Sequence, residues 1–600
     1  MRLEINGRRT AEQPSSVSRL PSIKIVIPSV FTSEIFIDEL ARGGLRHVCI
    51  APGSRSTPLT LACAAHPRIH AHMHLDERSA GFYALGLAMA LDEPVALICT
   101  SGSAAANFYP AIVEAHMSRV PLLVLTSDRP QELRHSGANQ TIDQIKMYGD
   151  FALWSVDMAL PEAAPDPAAI RNLRATAARA LAVADGAPKG VAHLNFPFRK
   201  PLEPTLEEAK QHVFEPDAPP FLRISRGVVL PNAADVAELA EIIARYQNGI
   251  IVCGPNCPRG NFAQAVHALS EASGYPIFAE ALANVNSRPH RSPRPVRSSE
   301  IDIILRFGGV PTGAEMLSLL ANAKAAHRIF VAHDGVYADD DHRTTWMIHA
   351  DASALCAGVA ARLPARALTR EPSAFAAAIR QNSEAMLQKL SAALETCDWF
   401  DGAVAYEVVK AAPANAAIFA GNSLSVRNLD EFGIPSPLPA GGAGGVASPH
   451  IFGSRGASGI DGNVSTALGI AAADGARPVI ALLGDITFYH DMNGLLAVNK
   501  FGQRNATFVV VNNDGGGIFQ RLPISKLEPP FTEMFLTPHG LTFEHAAALY
   551  GLRHARVTTR AEFVAAFGAR MRGEPSAPQF IEVMTDSRRD LEIRKKILGN

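Results

Sequence analysis

Cysteine is scarce and unpatterned in this 600-residue chain: Cys49, Cys63, Cys99, Cys253, Cys257, Cys356 and Cys397. An odd number without framework spacing excludes a disulfide scaffold and predicts reduced thiols in a cytoplasmic protein. Cys253 and Cys257 have no second pair to complete a zinc site. Charge of either sign is also missing as a global signal. The net charge is −2 and the basic residues are scattered, so no field draws the chain to nucleic acid or a membrane surface. No membrane-spanning run is expected. The longest uncharged stretch of note, Pro94 to Val113, contains Ser101-Gly102-Ser103, Asn107 and Pro110, and reads as a strand, a loop and a helix start. Residues 1–22 carry Arg and Ser but no apolar core, so they are expected to be a flexible tail and not a signal peptide. The turn Cys253-Gly254-Pro255 lacks the Gly-x-Gly-x-x-Gly fingerprint, which argues against a nicotinamide dehydrogenase.

What is present is alternation. Six hundred residues exceed one ordinary core, and an apolar share of 47% is that of a globular protein. Strands and helices alternate over residues 23–205, as in a doubly wound α/β domain. Residues 200–222 are rich in Pro and charge and read as a linker. Residues 223–365 form a second, central α/β domain. Residues 366–600 begin with an Ala-rich helix and form a third α/β domain. The stretch Gly433 to Ser454, rich in Gly and Pro, is expected to be a mobile loop near the site.

Two consecutive strands in the last domain end in polar residues. Arg477 to Asp485 closes on Gly484-Asp485, and Ala506 to Asp514 closes on Asn512-Asn513. A short helix, Asp491 to Asn499, is predicted between them. Such a βαβ unit is parallel, so Asp485 and Asn513 emerge at the same carboxyl edge, where open α/β sheets bind ligands. A carboxylate, an amide oxygen and a loop carbonyl are hard ligands suited to Mg²⁺ shared with a phosphate. The bland alternative is that Asp and Asn simply end strands in turns.

The chain also repeats itself. Ala84-Leu-Gly-Leu-Ala-Met-Ala90 precedes a strand at Pro94 to Cys99, and Ala467-Leu-Gly-Ile-Ala-Ala-Ala473 precedes the strand that ends at Asp485. Two related modules are therefore expected at opposite ends, with Ser101 standing where the other module has Asp485. The spacing Gly484-Asp485-Ile486, 25 residues, then Asn512-Asn513 resembles the thiamine-diphosphate signature, although Ile486 replaces the usual glycine. That resemblance implies a metal held by Asp485, Asn513 and the Gly515 carbonyl. One module would hold the diphosphate and the other the aminopyrimidine ring.

Such a cofactor needs a carboxylic acid from the sister module to favour the ring's imino tautomer. Glu77 fits, because it follows the strand Ile69 to Leu75 and opens a helix; alone it would read as a charge in a first helical turn. Glycines 515–517 let the backbone pass close to a diphosphate, and Ile518 is the expected wedge under the two rings. His70, His72 and His74 alternate along one strand, where packing is favoured over a metal site.

A set of longer motifs narrows the resemblance. Ala51-Pro-Gly-Ser-Arg-Ser-Thr-Pro58, Asp76-Glu-Arg78, Thr126-Ser-Asp-Arg-Pro130 and Gly137-Ala-Asn-Gln140 lie in the first module. Gly421-Asn-Ser-Leu424, Ser454-Arg-Gly-Ala-Ser-Gly-Ile-Asp-Gly462 and Asn512 to Phe519 lie in the last. Together they resemble the 2-succinyl-5-enolpyruvyl-6-hydroxy-3-cyclohexene-1-carboxylate synthases of menaquinone biosynthesis, from about residue 30 onward. The resemblance implies a thiamine-diphosphate- and Mg²⁺-dependent transferase. It would decarboxylate 2-oxoglutarate and add the succinyl carbanion equivalent to isochorismate.

It further implies cofactor contacts from Glu77, Gly102, Ser423, Asp485, Ile486, Asn513, Gly515, Ile518 and Phe519. Substrate contacts would come from Ser54, Arg55, Arg129, Asn139, Gln140, Ser423, Arg427 and Arg455, with Arg427 on the distal carboxylate of 2-oxoglutarate. Dianionic substrates call for several such cations. A homo-oligomer, dimer or tetramer, with sites shared between subunits is also implied. One departure is Ala314 after Thr312-Gly313, where many relatives carry Lys. The rival readings are another thiamine-dependent decarboxylase of the acetolactate-synthase type, and a non-enzymatic binding protein on the same fold.

Overall fold

The computed structural model describes residues 27–285, 296–363, 373–434, 449–574 and 576–599. The proposed tail, residues 1–22, and most of the Gly- and Pro-rich stretch, residues 435–448, lie outside them. Three parallel sheets, each flanked by helices, make an α/β fold.

The first sheet has six strands: β1 (His47–Ile50), β2 (His70–Met73), β3 (Val95–Cys99), β4 (Leu122–Asp128), β5 (Trp154–Asp157) and β6 (Val191–Pro197). The second has five: β7 (Gly249–Cys253), β8 (Ile277–Ala279), β9 (Ile303–Phe307), β10 (His327–Val331) and β11 (Trp346–Ile348). The third has six: β12 (Ala417–Ala420), β13 (His450–Phe452), β14 (Val479–Gly484), β15 (Ala506–Asn512), β16 (His554–Val557) and β17 (Phe580–Met584). The central strands β3, β4 and β15 are mainly apolar and buried along their whole length, as sheets covered on both faces require.

The first sheet runs β2-β1-β3-β4-β6-β5 and the third β13-β12-β14-β15-β17-β16. These are the same order, strand for strand. The internal repeat is thus a repeat of topology, and β3, which ends before Ser101, stands where the third sheet has β14, which ends before Asp485. The middle sheet runs β11-β10-β9-β7-β8.

The two repeated helices, Glu77–Leu91 and Asn463–Ala473, pack on each other. Both are buried over most of their length. Their glycines permit the approach: a Cβ on Gly86 would lie 1.9 Å from the Thr466 carbonyl oxygen, and one on Gly469 would lie 2.0 Å from that of Tyr83. Beside this crossing, His72 and His74 pack with Tyr83 and with Phe501 of the third module. Burial pushes their imidazoles down to about 4 and about 3, so both are neutral packing groups at physiological pH.

Two local expectations need correction. The helix after β14 starts at Asp485 itself and runs to Asp491, followed by a 3₁₀ turn and a second short helix, Leu496–Lys500. Asp485 therefore sits in a first helical turn, where a carboxylate is stabilised by the free N–H groups. The Pro-rich segment after residue 200 is no free linker. Glu34, Asp38 and Glu39, buried on the helix Pro28–Arg42, accept hydrogen bonds from the backbone N–H groups of Val213, Glu215 and Phe221. This docking gives three buried carboxylates partners and ties the crossing chain to the first module.

Candidate active site

Every residue singled out from the sequence lies just beyond the carboxyl end of a strand. Ser54 and Arg55 follow β1, Glu77 follows β2, Gly102 follows β3, and Arg129, Asn139 and Gln140 follow β4. In the third module Ser423 and Arg427 follow β12, Arg455 follows β13, Asp485 and Ile486 follow β14, and Asn513 to Phe519 follow β15.

At the ends of β14 and β15 the parallel register sets Gly484 beside Val511. Asp485 is buried, and the Ile486 N–H donates to its Oδ1 at 2.7 Å. Its Oδ2 accepts from the Gly515 N–H at 2.9 Å and lies 3.2 Å from His539 Nε2. The Leu541 N–H donates to His539 Nδ1, which leaves the ring proton on Nε2, pointing at Asp485. The Asp485 charge raises the His539 pKa in turn. Asn513 donates through Nδ2 to Asp401 Oδ2 at 2.9 Å, while its own Oδ1 is buried with no partner among the described residues. An unpaired buried amide oxygen beside a fixed carboxylate and a glycine loop is a donor set that suits a hard cation and a diphosphate. The loop is close-packed: a Cβ on Gly515 would lie 2.1 Å from the Leu536 carbonyl oxygen, and Gly515 itself has φ +130. Ile518 and Phe519 follow in a 3₁₀ turn and are half-buried, as is Ile486.

At the β2 end, Asp76 caps the helix through the Arg78 N–H, and Glu77 is its first residue. Glu77 is half-buried, and its carboxylate makes no hydrogen bond or ion pair among the described residues. No such contact joins it to Asp485 or Asn513 there.

A second group gathers around Ser101. Arg129 Nη1 donates to its hydroxyl, the hydroxyl donates to the Gln140 carbonyl at 2.9 Å, and Gln140 Nε2 donates to the Ser101 carbonyl at 2.9 Å. The adjacent Gly102 N–H donates to Gln144 Oε1. Arg55 is buried and donates to the Phe198 carbonyl, and the nearby Arg129 charge helps to lower its pKa. Ser54 and Asn139 are exposed and take no side-chain part in this network.

A third group sits at the ends of β12 and β13. Arg427 and Arg455 are half-buried, and burial lowers both pKa values, with mutual repulsion adding at Arg427. Arg427 reaches the Ser423 carbonyl at 2.7 Å, and Ser423 holds a left-handed φ of 67 at the helix start. Arg455 donates to Asn422 Oδ1 at 2.9 Å. Its loop is fixed from the first module, because the N–H groups of Gly456, Ala457 and Ser458 donate to Glu114.

Sequence reading missed the supporting residues: Asp401 behind Asn513, His539 behind Asp485, Glu114 behind the Arg455 loop, and Arg521, whose charge lowers the Arg427 pKa. None stands in a motif; each reaches its partner across more than twenty residues of chain, so no local signal marks it.

Comparison with known proteins agrees with this geometry. Residues 31–147 match the thiamine pyrophosphate enzyme N-terminal TPP binding domain, and residues 445–583 match the corresponding C-terminal TPP binding domain. A 2-succinyl-5-enolpyruvyl-6-hydroxy-3-cyclohexene-1-carboxylate synthase from Roseiflexus sp. (strain RS-1) is 48% identical over 95% of this chain and 97% of its own. The chain belongs to that synthase family. Members from Geobacillus thermodenitrificans (strain NG80-2) and Haloarcula marismortui (strain ATCC 43049) are 41% and 39% identical, over 88% and 93% of this chain and 89% and 96% of their own. Like the family, the chain is a thiamine-diphosphate enzyme, with its two cofactor domains at opposite ends. No helix among the described residues is long and apolar enough to cross a membrane.

Proposed function

We propose that this synthase decarboxylates 2-oxoglutarate and transfers the succinyl unit to isochorismate in menaquinone biosynthesis, in the cytoplasm. The observation that carries the reading is near full-length family identity, with the polar residues of the synthase motifs held at strand ends.

Thiamine diphosphate, when bound, supplies the nucleophilic carbon that takes up the keto carbon of the 2-oxo acid and the electron sink for loss of CO₂. Mg²⁺ would be held by Asp485 Oδ, the free Asn513 Oδ1 and the Gly515 carbonyl, with diphosphate oxygens completing the set. Glu77 would hold a proton at the aminopyrimidine ring nitrogen, and the absence of a hydrogen bond or ion pair to it among the described residues leaves it available for that bond. Gly102, Ser423, Ile486, Ile518 and Phe519 would line the cofactor, with Ile518 serving as the apolar wedge that bends it. Arg427 and Ser423 hold the distal carboxylate of 2-oxoglutarate. Ser54, Arg55, Arg129, Asn139, Gln140 and Arg455 surround isochorismate. In this reading residues 23–205 carry the pyrimidine half of the site, residues 366–600 the diphosphate half, and residues 223–365 a central domain.

The enzyme works as a homo-oligomer whose sites join the Glu77 module of one subunit to the Asp485 module of another. Large apolar side chains left exposed near the third sheet's carboxyl edge, among them Tyr489 at 55% and Met534 at 72%, support a covering subunit.

Product analysis tests the reaction. Incubation with 2-oxoglutarate and isochorismate should yield the succinylated cyclohexene carboxylate, CO₂ being released in equal amount. Efficient condensation of two pyruvates instead would assign the chain to the acetolactate type.

A further inference from the structure

Glu280, at the end of β8 in the middle domain, belongs to no part of the site described so far. Its segment is inserted into the third module. Asn284 exchanges two hydrogen bonds with the backbone of Ile451 in β13, and Leu282 is buried in the third module's core. The Ala281 N–H donates to Asp430 Oδ1 at 2.7 Å, on the same helix as Arg427.

The two oxygens of Glu280 differ. Oε1 accepts from the N–H groups of Thr312 and Gly313, at 2.5 and 2.7 Å. Oε2 is buried and has no hydrogen-bond partner among the described residues, while the buried Thr312 hydroxyl lies near enough to the carboxyl to help hold its pKa down. Both Arg427 and Arg455 feel the Glu280 carboxyl as a neighbouring charge. A buried carboxyl oxygen without a full hydrogen bond, close enough to two guanidinium groups proposed to bind substrate to act on them as a charge, is a hydrogen-bonding position open to a ligand.

Resting on the substrate roles proposed for Arg427 and Arg455, we infer that Glu280 is a positioning residue that binds as the neutral acid and donates through Oε2 to the 2-oxoglutarate carboxylate held by Arg427. The charge balance favours this state. The groups coupled to Glu280 are Arg427 and Asp430 of the helix Leu424–Phe432 and Arg455 of the loop after β13, through their charges, and the Thr312–Gly313 turn, through hydrogen bonds. Burial and the Asp430 carboxylate push the Glu280 pKa up to about 8, against the pull of the Thr312 and Gly313 donors. Below that pH the acid is neutral and can share its proton with an incoming carboxylate. Above it the carboxylate repels the same anion, and binding must take up a proton.

Glutarate, which has both carboxylates of 2-oxoglutarate and no keto group, reports binding without chemistry. Its competitive inhibition constant against 2-oxoglutarate, measured on the holoenzyme from pH 6.5 to 9.5, should be flat below about pH 8. It should then rise roughly tenfold per pH unit, the slope of one linked proton. Glu280→Gln keeps an acceptor for Thr312 and Gly313 and a donor at the second position. It should bind glutarate as tightly as the wild type at pH 7 and lose the rise at high pH. A capping role alone would leave the rise intact in Glu280→Gln, and that result would overturn the inference, as would a wild-type constant that stays flat to pH 9.5. Arg427→Ala separates this from the wider reading. It should weaken glutarate at every pH, and if it does not, the substrate role of Arg427 is what fails.

Discussion

Glu77 enters its helix with a carboxylate that makes no hydrogen bond or ion pair among the described residues. If that carboxylate serves the aminopyrimidine ring, Glu77→Gln should lower turnover by about two powers of ten or more, the usual worth of general acid–base help, with little change in melting temperature. Near-normal turnover would remove it from the mechanism. At this scale the sequence was most informative where a residue stands in a motif at a strand end. Asp485 and Asn513 could be singled out because each closes a recognisable apolar strand, and Glu77 because it follows the alternating strand Ile69 to Leu75 and opens a helix. Their supports could not. Asp401 turns the Asn513 amide so that Oδ1 is left free, and His539 fixes one oxygen of Asp485, yet both come from distant segments whose approach only the tertiary fold creates. Glu280 was hidden for the same reason, because it follows a strand of a different sheet from the arginines on which its charge acts.

Among the elements, the crossing of Glu77–Leu91 with Asn463–Ala473 is the most demanding. Each helix is apolar nearly all round, as a helix buried between two sheets must be. The clash at either glycine would be with backbone, which cannot rotate away. Gly469→Val should therefore destabilise the protein by about 1–3 kcal/mol or more through overpacking. Thermal or urea unfolding would measure it, and an unchanged midpoint would mean that the crossing is looser than described. The motif repeat around Gly86 and Gly469 was legible in the sequence as a duplication. That the two copies touch was not, because self-similarity says nothing of contact. The strands ending at Asp485 and Asp514 were read to within a few residues, whereas outer strands such as β5, β13 and β16 carry no apolar run long enough to mark them. The helix at Asp485 was placed too late, since its first turn opens on the polar Asp485 and breaks the apolar period.

For the whole molecule, two sheets of identical strand order frame a middle sheet whose β8 turn enters the third module. The fold class followed from alternation and duplication. How subunits combine is a separate matter that one experiment addresses. Glu77→Gln and Asp485→Ala should each be inactive as homo-oligomers. If sites are shared between subunits, mixed dimers regain one intact site, and random reassociation of equal amounts should restore about a quarter of wild-type activity. No recovery on mixing would place each site within one chain. The central claim, a cation and diphosphate held at the ends of β14 and β15, is tested most directly by calorimetric titration with thiamine diphosphate. Binding to the wild type should require Mg²⁺ and should be lost in Asp485→Ala at unchanged fold. Equal binding by that variant, or no binding by the wild type with Mg²⁺ present, would contradict the account.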